Sequence, residues 1–372
     1  MKNEKCLKTT SKKALHRFTA LAAVLLAVCL VFMTPVSAAD TIPISSAEDL
    51  KKIGKEASHP LDGSYILTDN INLNDQEWMP IGTMNNPFTG NFNGNGKTIS
   101  GLKITDANDG FVGLFSYIGT GGSVTNLAVS GDIDATETGN DGIFAGGIAG
   151  LNCGTISCCS FIGNITAKSP LSACAGGIAG INEYGTISDC YSIGDIAASY
   201  SDSDSVITMT GGIAGKNFYG TITNCYSTGT VTAISKSTDD GTAYAGGIAG
   251  MDERWRYDNT TTISNCYALN AIVTAEGVTK NNGRVVGENS SGNLAGNFGW
   301  TGMKIADVGV TDVTATDKNG TSVYAVNFWK NIDFFGGFDT TIWEINEDYP
   351  LPLLNGQTIS SVYANVYTDD IV

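Results

Sequence analysis

The stretch Gly211–Ala233, GGIAGKNFYGTITNCYSTGTVTA, decides the fold because the chain repeats it with small changes. Copies of its opening phrase also begin at Gly146, Gly176 and Gly246, so successive starts lie 30, 35 and 35 residues apart. A period of this length is typical of solenoids and other repeat arrays. The repeat therefore predicts an architecture more directly than it predicts a function.

Each copy has the composition of short β-strands. Its segments are rich in Ile, Val and Thr and are separated by Gly or Asn, which leaves no room for a helix. In the cleanest copy we expect strands at residues 212–214, 221–223 and 230–232, with the polar stretches 197–210 and 234–244 forming loops between copies. Identical coils stacked at about 4.8 Å form continuous parallel sheets. The predicted fold is all-β, a parallel and right-handed β-solenoid; a β-propeller is the rival, but its blades run longer and show antiparallel hairpins.

The cysteines indicate which positions point inward. Aligned copies place four of them in one column, which holds Leu127 in an earlier, diverged copy; the four are Cys159, Cys190, Cys225 and Cys266. A position that accepts Leu or Cys behaves as a small apolar interior site, where a free thiol is common. We therefore expect buried thiols rather than disulfides or a zinc site. The chain has no C-x-x-C motif, and its two histidines are too few to complete zinc sites.

Both ends of the chain differ from the repeat. Residues 1–39 combine six basic side chains, an apolar run of about 14 residues and a small-residue site, which is the order of a cleaved secretory signal peptide. We assign residues 40–80 to an N-terminal cap with a short helix that begins after Ser46, and residues 81–300 to the repeats. Residues 301–372 are aromatic-rich and lack the period, so we assign them to a C-terminal cap over the last coil.

The charge balance excludes several classes of partner. Loss of residues 1–39 removes six of the 21 Lys and Arg residues and one of the 37 Asp and Glu residues, which leaves a formal charge of −21. That sign argues against nucleic acid and against anionic lipid. We expect a secreted or cell-surface protein that does not insert into a membrane after signal cleavage. No pattern in the sequence indicates an oligomeric state.

The copies resemble the GLUG motif of bacterial and archaeal surface proteins, which also occurs in the repeat region of immunoglobulin A peptidases. The lead-in Phe88–Ile104, FTGNFNGNGKTISGLKI, and the closing Gly337–Leu354, GFDTTIWEINEDYPLPLL, are similar to the flanks of such proteins. Ile stands where the motif has Leu, at Ile148, Ile178, Ile213 and Ile248. The resemblance covers residues 78–354 and implies an exported solenoid in an adhesin-like or carbohydrate-contacting protein.

The sequence contains few of the residues and motifs that common catalytic sites require. His59 is the one histidine after cleavage, so the His-Glu-x-x-His motif and the Ser-His-Asp and Cys-His arrangements are missing, and we expect neither a metallopeptidase nor a cofactor. A β-helix polysaccharide lyase or hydrolase stays an alternative, because it needs only paired carboxylates, or a carboxylate and a Lys, in a groove. The calcium candidates lack a known loop frame and indicate solvated turns: Asp202, Asp204, Asp239 and Asp240.

A column of tyrosines is the first candidate for binding. Tyr191, Tyr226 and Tyr267 directly follow the cysteine column, so strand alternation would turn them outward as an aromatic ladder. Such a ladder either stabilises neighbouring strands by stacking or offers a platform to sugar rings.

The second candidate is a loop in the fourth copy, Arg254-Trp255-Arg256-Tyr257. It holds two of the three arginines of the cleaved chain, and its residue types are those of interface hot spots. A loop pinned to the solenoid side is the structural alternative. We predict an adhesin-like, non-catalytic module that binds an extracellular glycan or a protein on a host or neighbouring cell, with the polysaccharide enzyme and a passive spacer as alternatives.

Overall fold

The computed structural model describes residues 41–107, 110–139, 142–200, 207–237, 240–254, 261–290, 292–305, 317–324, 335, 338–345, 351–355 and 357. The assigned signal peptide, residues 1–39, lies outside the described residues. Within the described part, no helix is both long and apolar enough to cross a bilayer.

The N-terminal region holds the one α-helix of the described residues. Strand β1 (Thr41–Ile44) leads into helix α1 (Ala47–Lys52), which is followed by β2 (Ser64–Leu67) and β3 (Ile71–Asn72). Ser46 caps the helix, since its hydroxyl accepts a hydrogen bond from the backbone N–H of Asp49. This confirms the helix start expected from the sequence.

The remaining strands follow one another in coils of repeated order. The first coils contain β4 (Asn91–Asp106), β5 (Phe111–Val112), β6 (Phe115–Ile118), β7 (Ser123–Thr136), β8 (Ile143–Gly146), β9 (Ala149–Asn152), β10 (Thr155–Ile162) and β11 (Ile165–Ser169). The central coils contain β12 (Ala173–Gly176), β13 (Ala179–Glu183), β14 (Thr186–Ser188), β15 (Tyr191–Ile193), β16 (Ile196–Tyr200), β17 (Ile207–Gly211), β18 (Ala214–Phe218), β19 (Thr221–Thr223), β20 (Tyr226–Thr228) and β21 (Thr230–Ser235). The last coils contain β22 (Thr242–Gly246), β23 (Ala249–Glu253), β24 (Thr262–Ser264), β25 (Tyr267–Ala268), β26 (Ile272–Glu276), β27 (Thr279–Gly283), β28 (Val286–Ser290), β29 (Asn293–Ala295), β30 (Phe298–Trp300), β31 (Lys304–Ile305) and β32 (Thr321–Val323). Two strands of the C-terminal part, β33 (Trp343–Ile345) and β34 (Pro352–Leu354), form a separate antiparallel pair.

Corresponding strands of successive coils pair in parallel and build three sheets. Sheet A has 20 strands, sheet B runs β6-β9-β13-β18-β23-β28, and sheet C runs β5-β8-β12-β17-β22-β27. The register follows the sequence repeat, because Ile187 pairs with Ile222 and Ile222 with Ile263. The predicted all-β parallel solenoid is therefore confirmed.

The phrase GGIAG is a corner and not the single strand that the sequence predicted. Gly212 and Ile213 separate β17 of sheet C from β18 of sheet B. A Cβ atom on Gly212 would lie 2.1 Å from the carbonyl oxygen of Gly247 on the next coil, so the corner admits only glycine. The expected loops at 197–210 and 234–244 are also wrong in part. β21 and β22 occupy the two ends of the second, β16 occupies the start of the first, and its residues 207–210 belong to β17. The threonines of β17 are buried with satisfied hydroxyls, as Thr210 donates to the carbonyl of Thr232. The strands expected at 221–223 and 230–232 are confirmed.

The interior is a set of stacked apolar columns. The cysteine column is fully buried, and all seven cysteines of the described chain are free thiols, as expected. Burial raises the pKa of the Cys190 and Cys266 thiols well above the usual value, which leaves them protonated and inert. The isoleucine column of the GGIAG corners is equally buried: Ile148, Ile178, Ile213 and Ile248, continued by Val285. Each such side chain stabilises the fold by about 1.5–3 kcal/mol.

The C-terminal region divides into two parts. Strand β32 stacks on β30, and the carbonyl of Lys318 accepts the N–H groups of Val285 and Val286 at the last coil. Residues 335, 338–345, 351–355 and 357, called here the C-terminal segment, instead pack along the flank of sheet A. The assignment of residues 301–372 to a C-terminal cap, like that of residues 40–80 to an N-terminal cap, stays a prediction.

Candidate functional site

The three tyrosines form the expected column on the outer face of sheet A. Tyr191 pairs with Tyr226, and Tyr226 with Tyr267, on neighbouring strands. The rings of Tyr191 and Tyr226 are parallel within 2° and their centroids lie 5.1 Å apart. The next residue, Ser192, donates its hydroxyl hydrogen to the carbonyl of Gly212 inside the coil. The tyrosine side chains therefore point away from the interior, as alternation predicts.

This column is nevertheless closed to solvent, because the C-terminal segment covers it. None of the three tyrosines is more than 1% exposed. The Tyr226 hydroxyl donates to the Pro352 carbonyl at 2.7 Å, and the Tyr191 hydroxyl donates to Oε1 of Gln357 at 3.0 Å. Burial raises the pKa of Tyr191 above its usual range. In this arrangement the column holds the chain's own C-terminal segment and presents no platform to a sugar ring.

The predicted binding loop is described only at its start. Arg254 is half-buried directly after β23, whereas Trp255, Arg256 and Tyr257 lie outside the described residues. Of the calcium candidates, Asp240 is exposed in a bend, and Asp202, Asp204 and Asp239 also lie outside the described residues. Where side chains are described, no group of three or more His, Cys, Asp or Glu residues is arranged to hold a metal ion.

The stem of that loop is fixed to the solenoid. Thr261, which follows the loop, donates its hydroxyl hydrogen to Oδ1 of Asp252 at 2.5 Å and also contacts the Gly220 carbonyl at 3.2 Å. On the other side of the stem, the carbonyl of Glu253 accepts the N–H of Tyr219 at 3.3 Å. Glu253 and Thr261, on either side of residues 254–260, are therefore both held at the corner between sheets B and A.

The same corner carries aromatic rings on the two preceding coils, of which Tyr184 is exposed, Phe218 is half-buried and Tyr219 is buried. We call Tyr184, Phe218 and Tyr219 the aromatic corner. Tyr184 is 57% exposed, and its ring lies parallel to that of Tyr219, with 4.9 Å between centroids and 4° between planes. Lys216 places its Nζ 4.7 Å from the Phe218 centroid and forms an ion pair with Glu253. The aromatic corner and the start of the loop thus form one continuous patch that combines aromatic, cationic and anionic groups.

The backbone of the aromatic corner is unusual. Tyr184 and Tyr219 have φ angles of 54° and 52°, a region that bulky residues rarely enter. Both are held there by a buried amide, since Asn182 Nδ2 donates to the Gly185 carbonyl and Asn217 Nδ2 to the Gly220 carbonyl, each at 3.1 Å. Conformations of this kind persist only where the surroundings fix them, and they cluster at functional sites.

Those amides belong to a ladder beneath the corner. Asn152 donates to Asn182, Asn182 to Asn217, and Asn217 to Asp252, each from Nδ2 to Oδ1 at 2.8 Å, and all four residues are 0% exposed. At Asp252 the ladder changes character, because its Oδ2 is buried without a hydrogen-bond partner among the described residues. Burial raises the pKa of this carboxyl to about 6.

Sequence reasoning missed the aromatic corner, although a signal was present. The pattern Asn-x-Tyr-Gly occurs at residues 182–185 and again at 217–220, one period apart. A recurring Tyr-Gly after a fixed Asn indicates a turn whose ring is aimed outward.

Comparison with known proteins gives a motif and a fold. The family model of the GLUG motif matches residues 172–197 and 208–232. The chain is 39% identical over 79 residues, 21% of its length, to a "Putative Gly-rich membrane protein" of Evansella cellulosilytica, of which it covers 9%. It is 35% identical over 150 residues, 38% of its length, to "Halomucin" of Haloquadratum walsbyi, of which it covers 1%. The chain thus spans less than a tenth of the length of these relatives.

A solved structure shares the fold. A "putative immunoglobulin A1 protease" from Bacteroides ovatus superposes with a TM-score of 0.65 and 17% sequence identity, over 87% of this chain and 94% of that one. At this identity the likeness shows the fold alone. The chain is therefore a parallel β-solenoid that carries the GLUG motif at two adjacent sites.

Proposed function

We propose that this chain is an adhesin-like, extracellular or cell-surface module that binds glycan at the aromatic corner and the adjoining loop 254–260. The observation that carries this proposal is the exposed ring of Tyr184, stacked in parallel on the buried ring of Tyr219 beside charged side chains. The apolar C–H face of a pyranose ring packs on an aromatic face, and its hydroxyl groups require charged or amide partners at the edge. Lys216 and Glu253 lie at that edge beside Phe218, and Arg254 directly follows Glu253 in the chain.

Preorganisation supports the same assignment. The Asn ladder fixes the backbone under Tyr184 and Tyr219, so binding need not order that backbone and loses less conformational entropy. A solenoid also presents neighbouring coils at a fixed spacing, which suits a polymeric ligand with its own repeat. The relatives named as a membrane protein and as halomucin support a location outside the cell.

The test is a glycan array probed with residues 40–372, followed by titration of the best ligand. We expect Tyr184→Ala to weaken binding about tenfold or more, because it removes the exposed ring. Tyr184→Phe keeps the ring and is expected to bind nearly as well. The matched control is Tyr324→Ala, since Tyr324 is a tyrosine of similar exposure, 58%, elsewhere on the chain. Equal binding by Tyr184→Ala and Tyr324→Ala would reject the aromatic corner as the site.

A polysaccharide enzyme remains the second candidate, because Lys216 and Glu253 form a carboxylate–lysine pair next to the aromatic corner. The pair is 18% and 16% exposed and already joined, so it needs rearrangement before it can transfer a proton. The test is whether the chain releases reducing sugars from the glycans that it binds on the array. If it does, and if Glu253→Gln abolishes the release, a catalytic function replaces the binding proposal. A chain that binds no glycan at all would indicate a passive spacer.

A further inference from the structure

A cavity of about 540 Å³ lies at the N-terminal end of the solenoid, far along the chain from the aromatic corner. Its walls are mainly apolar and include Ile53, Leu61, Trp78, Phe111 and Val112. This volume is within the usual range of ligand sites, about 300–1,000 Å³.

The cavity occupies the place of a missing strand. Sheet A continues past the first coil through β1, β2 and β3, and sheet B is extended by a parallel bridge from Ile81 to Phe115. Sheet C has no such extension, because its end strand β5 pairs with β8 alone among the described strands. The N–H of Phe144 donates to the Gly110 carbonyl at 2.7 Å, so the polar backbone groups of Phe111 point to the opposite, cavity-facing edge.

A glycine column shows what normally fills this place. A Cβ atom on Gly150 would lie 2.6 Å from the backbone nitrogen of Val112, and one on Gly180 would lie 2.8 Å from that of Ala145. In both cases the obstacle is the sheet C strand of the preceding coil. Glycine is therefore required in this column because a strand runs directly beside it.

Ser116 is the member of this column in the first coil. Its neighbours Phe115 and Tyr117 pair with Ala149 and Leu151, which places Ser116 opposite Gly150. It lines the cavity, is 2% exposed, and its Oγ has no hydrogen-bond partner among the described residues. A buried hydroxyl without a partner is costly, so its presence where a strand would run points to a polar group that arrives with a ligand.

We propose that the N-terminal cavity binds an extended peptide segment, which adds to β5 as a further parallel strand of sheet C. Main-chain groups of the peptide pair with Phe111, and the Ser116 hydroxyl bonds to a peptide N–H or carbonyl, as in other strand additions to sheet edges. The strands that fill the equivalent place in later coils read IFAG and ACAG, so the segment that fits is apolar and ends in Ala-Gly.

The opposite end of sheet C argues against a second copy of this chain as the source. Its last strand, β27, reads TKNNG, and its residues Thr279 and Lys280 are exposed. A polar strand with a lysine blunts pairing at that edge and does not match apolar walls. The occupant is therefore an apolar segment of another kind, and self-association of the chain is an outcome that the test must distinguish.

The experiment is anisotropy titration of a fluorescein-labelled Ile-Phe-Ala-Gly-Gly peptide amide, a copy of residues 143–147, with residues 40–372. We expect saturable binding to the wild type, a several-fold loss in Ser116→Ala, and a loss of about tenfold or more in Ser116→Phe, whose ring fills the empty space. Thr279→Phe, which adds the same ring to the other end of sheet C, is the matched control and should bind like the wild type. Tyr184→Ala should also leave peptide binding unchanged, which separates this site from the proposed glycan site.

Three results would overturn the proposal. They are the absence of saturable binding, equal binding by Ser116→Phe and Thr279→Phe when both melt like the wild type, and equal binding of a peptide with Pro in place of its Ala. With the peptide Phe opposite Phe111, that Ala N–H is the one that would donate to the Phe111 carbonyl, and Pro has no N–H. Concentration-dependent self-association that Ser116→Phe abolishes would show that a second copy fills the cavity, and would overturn the assignment to a separate segment.

Discussion

The two tyrosine columns of this solenoid differ in what lies on top of them. Tyr191, Tyr226 and Tyr267 stack on the flat outer face of sheet A, whereas Tyr184 and Tyr219 stack at a sharp corner between sheets B and A. A flat row of rings can be covered by an extended segment, and the C-terminal segment covers it. A corner has no flat surface on which an extended segment could pack, and Tyr184 stays 57% exposed. The same ring stacking therefore stabilises the packing of the C-terminal segment in the first column and, as proposed, serves ligand recognition in the second.

The largest effect is expected from Tyr226→Ala, at the centre of the covered column. The change removes the contacts with Trp343 and Phe338 and the hydrogen bond to Pro352, and should lower the free energy of unfolding by about 3–5 kcal/mol. Tyr184→Ala should change it by less than about 0.5 kcal/mol. Urea titration followed by circular dichroism measures both. Similar losses in the two variants would remove the distinction between the columns.

Asp252→Asn tests the ladder beneath the exposed corner. The folded-state pKa of Asp252, about 6, is above the usual carboxyl value of 3.8, so the folded chain holds this proton more tightly than the unfolded chain does. The contribution to stability is complete below pH 4 and is lost as the pH rises through 6, by about 3 kcal/mol in total. Asparagine cannot ionise and continues the ladder, so the variant should equal the wild type near pH 4 and exceed it at pH 8. A gap that does not change between these pH values contradicts the assigned titration.

Tyr226→Phe sharpens the comparison further, because it removes only the hydroxyl. The Pro352 carbonyl then loses its donor in a buried place, and we expect a loss of about 1–2 kcal/mol. No described residue accepts a hydrogen bond from the Tyr184 hydroxyl, so Tyr184→Phe should be neutral. Thermal melts of the two variants side by side are sufficient. A neutral Tyr226→Phe would mean that the C-terminal segment is held by ring packing alone.

The smallest effect on stability is expected in the loop. Trp255→Ala and Arg256→Ala should leave the melting temperature unchanged and weaken attachment to the glycan ligand, because the stem at Asp252 and Thr261 is held without them. If both variants attach normally, the loop has no part in recognition and the aromatic corner has to act alone.

Much of the fold could be predicted, because each coil meets a near copy of itself. Periodicity alone placed Leu127 and Cys159 in one buried column and fixed the register of the tyrosines. The outer cover could not be predicted in this way, since Pro352 lies 126 residues from Tyr226 and the C-terminal region has no period to align. The strand at residues 207–211 was hidden for another reason, as its buried threonines bond to backbone carbonyls and give a polar composition to an interior element.

The C-terminal segment also has a consequence for the length of the array. It touches Ser160, Tyr191, Tyr226 and Tyr267, one residue on each of four successive coils. Coils alone could be added or removed in whole units, since the same parallel pairing joins each coil to the next. The C-terminal segment covers a fixed number of coils. A duplicated coil would therefore leave one additional aromatic ring exposed to solvent. Gain or loss of coils in this solenoid is therefore tied to the length of its tail.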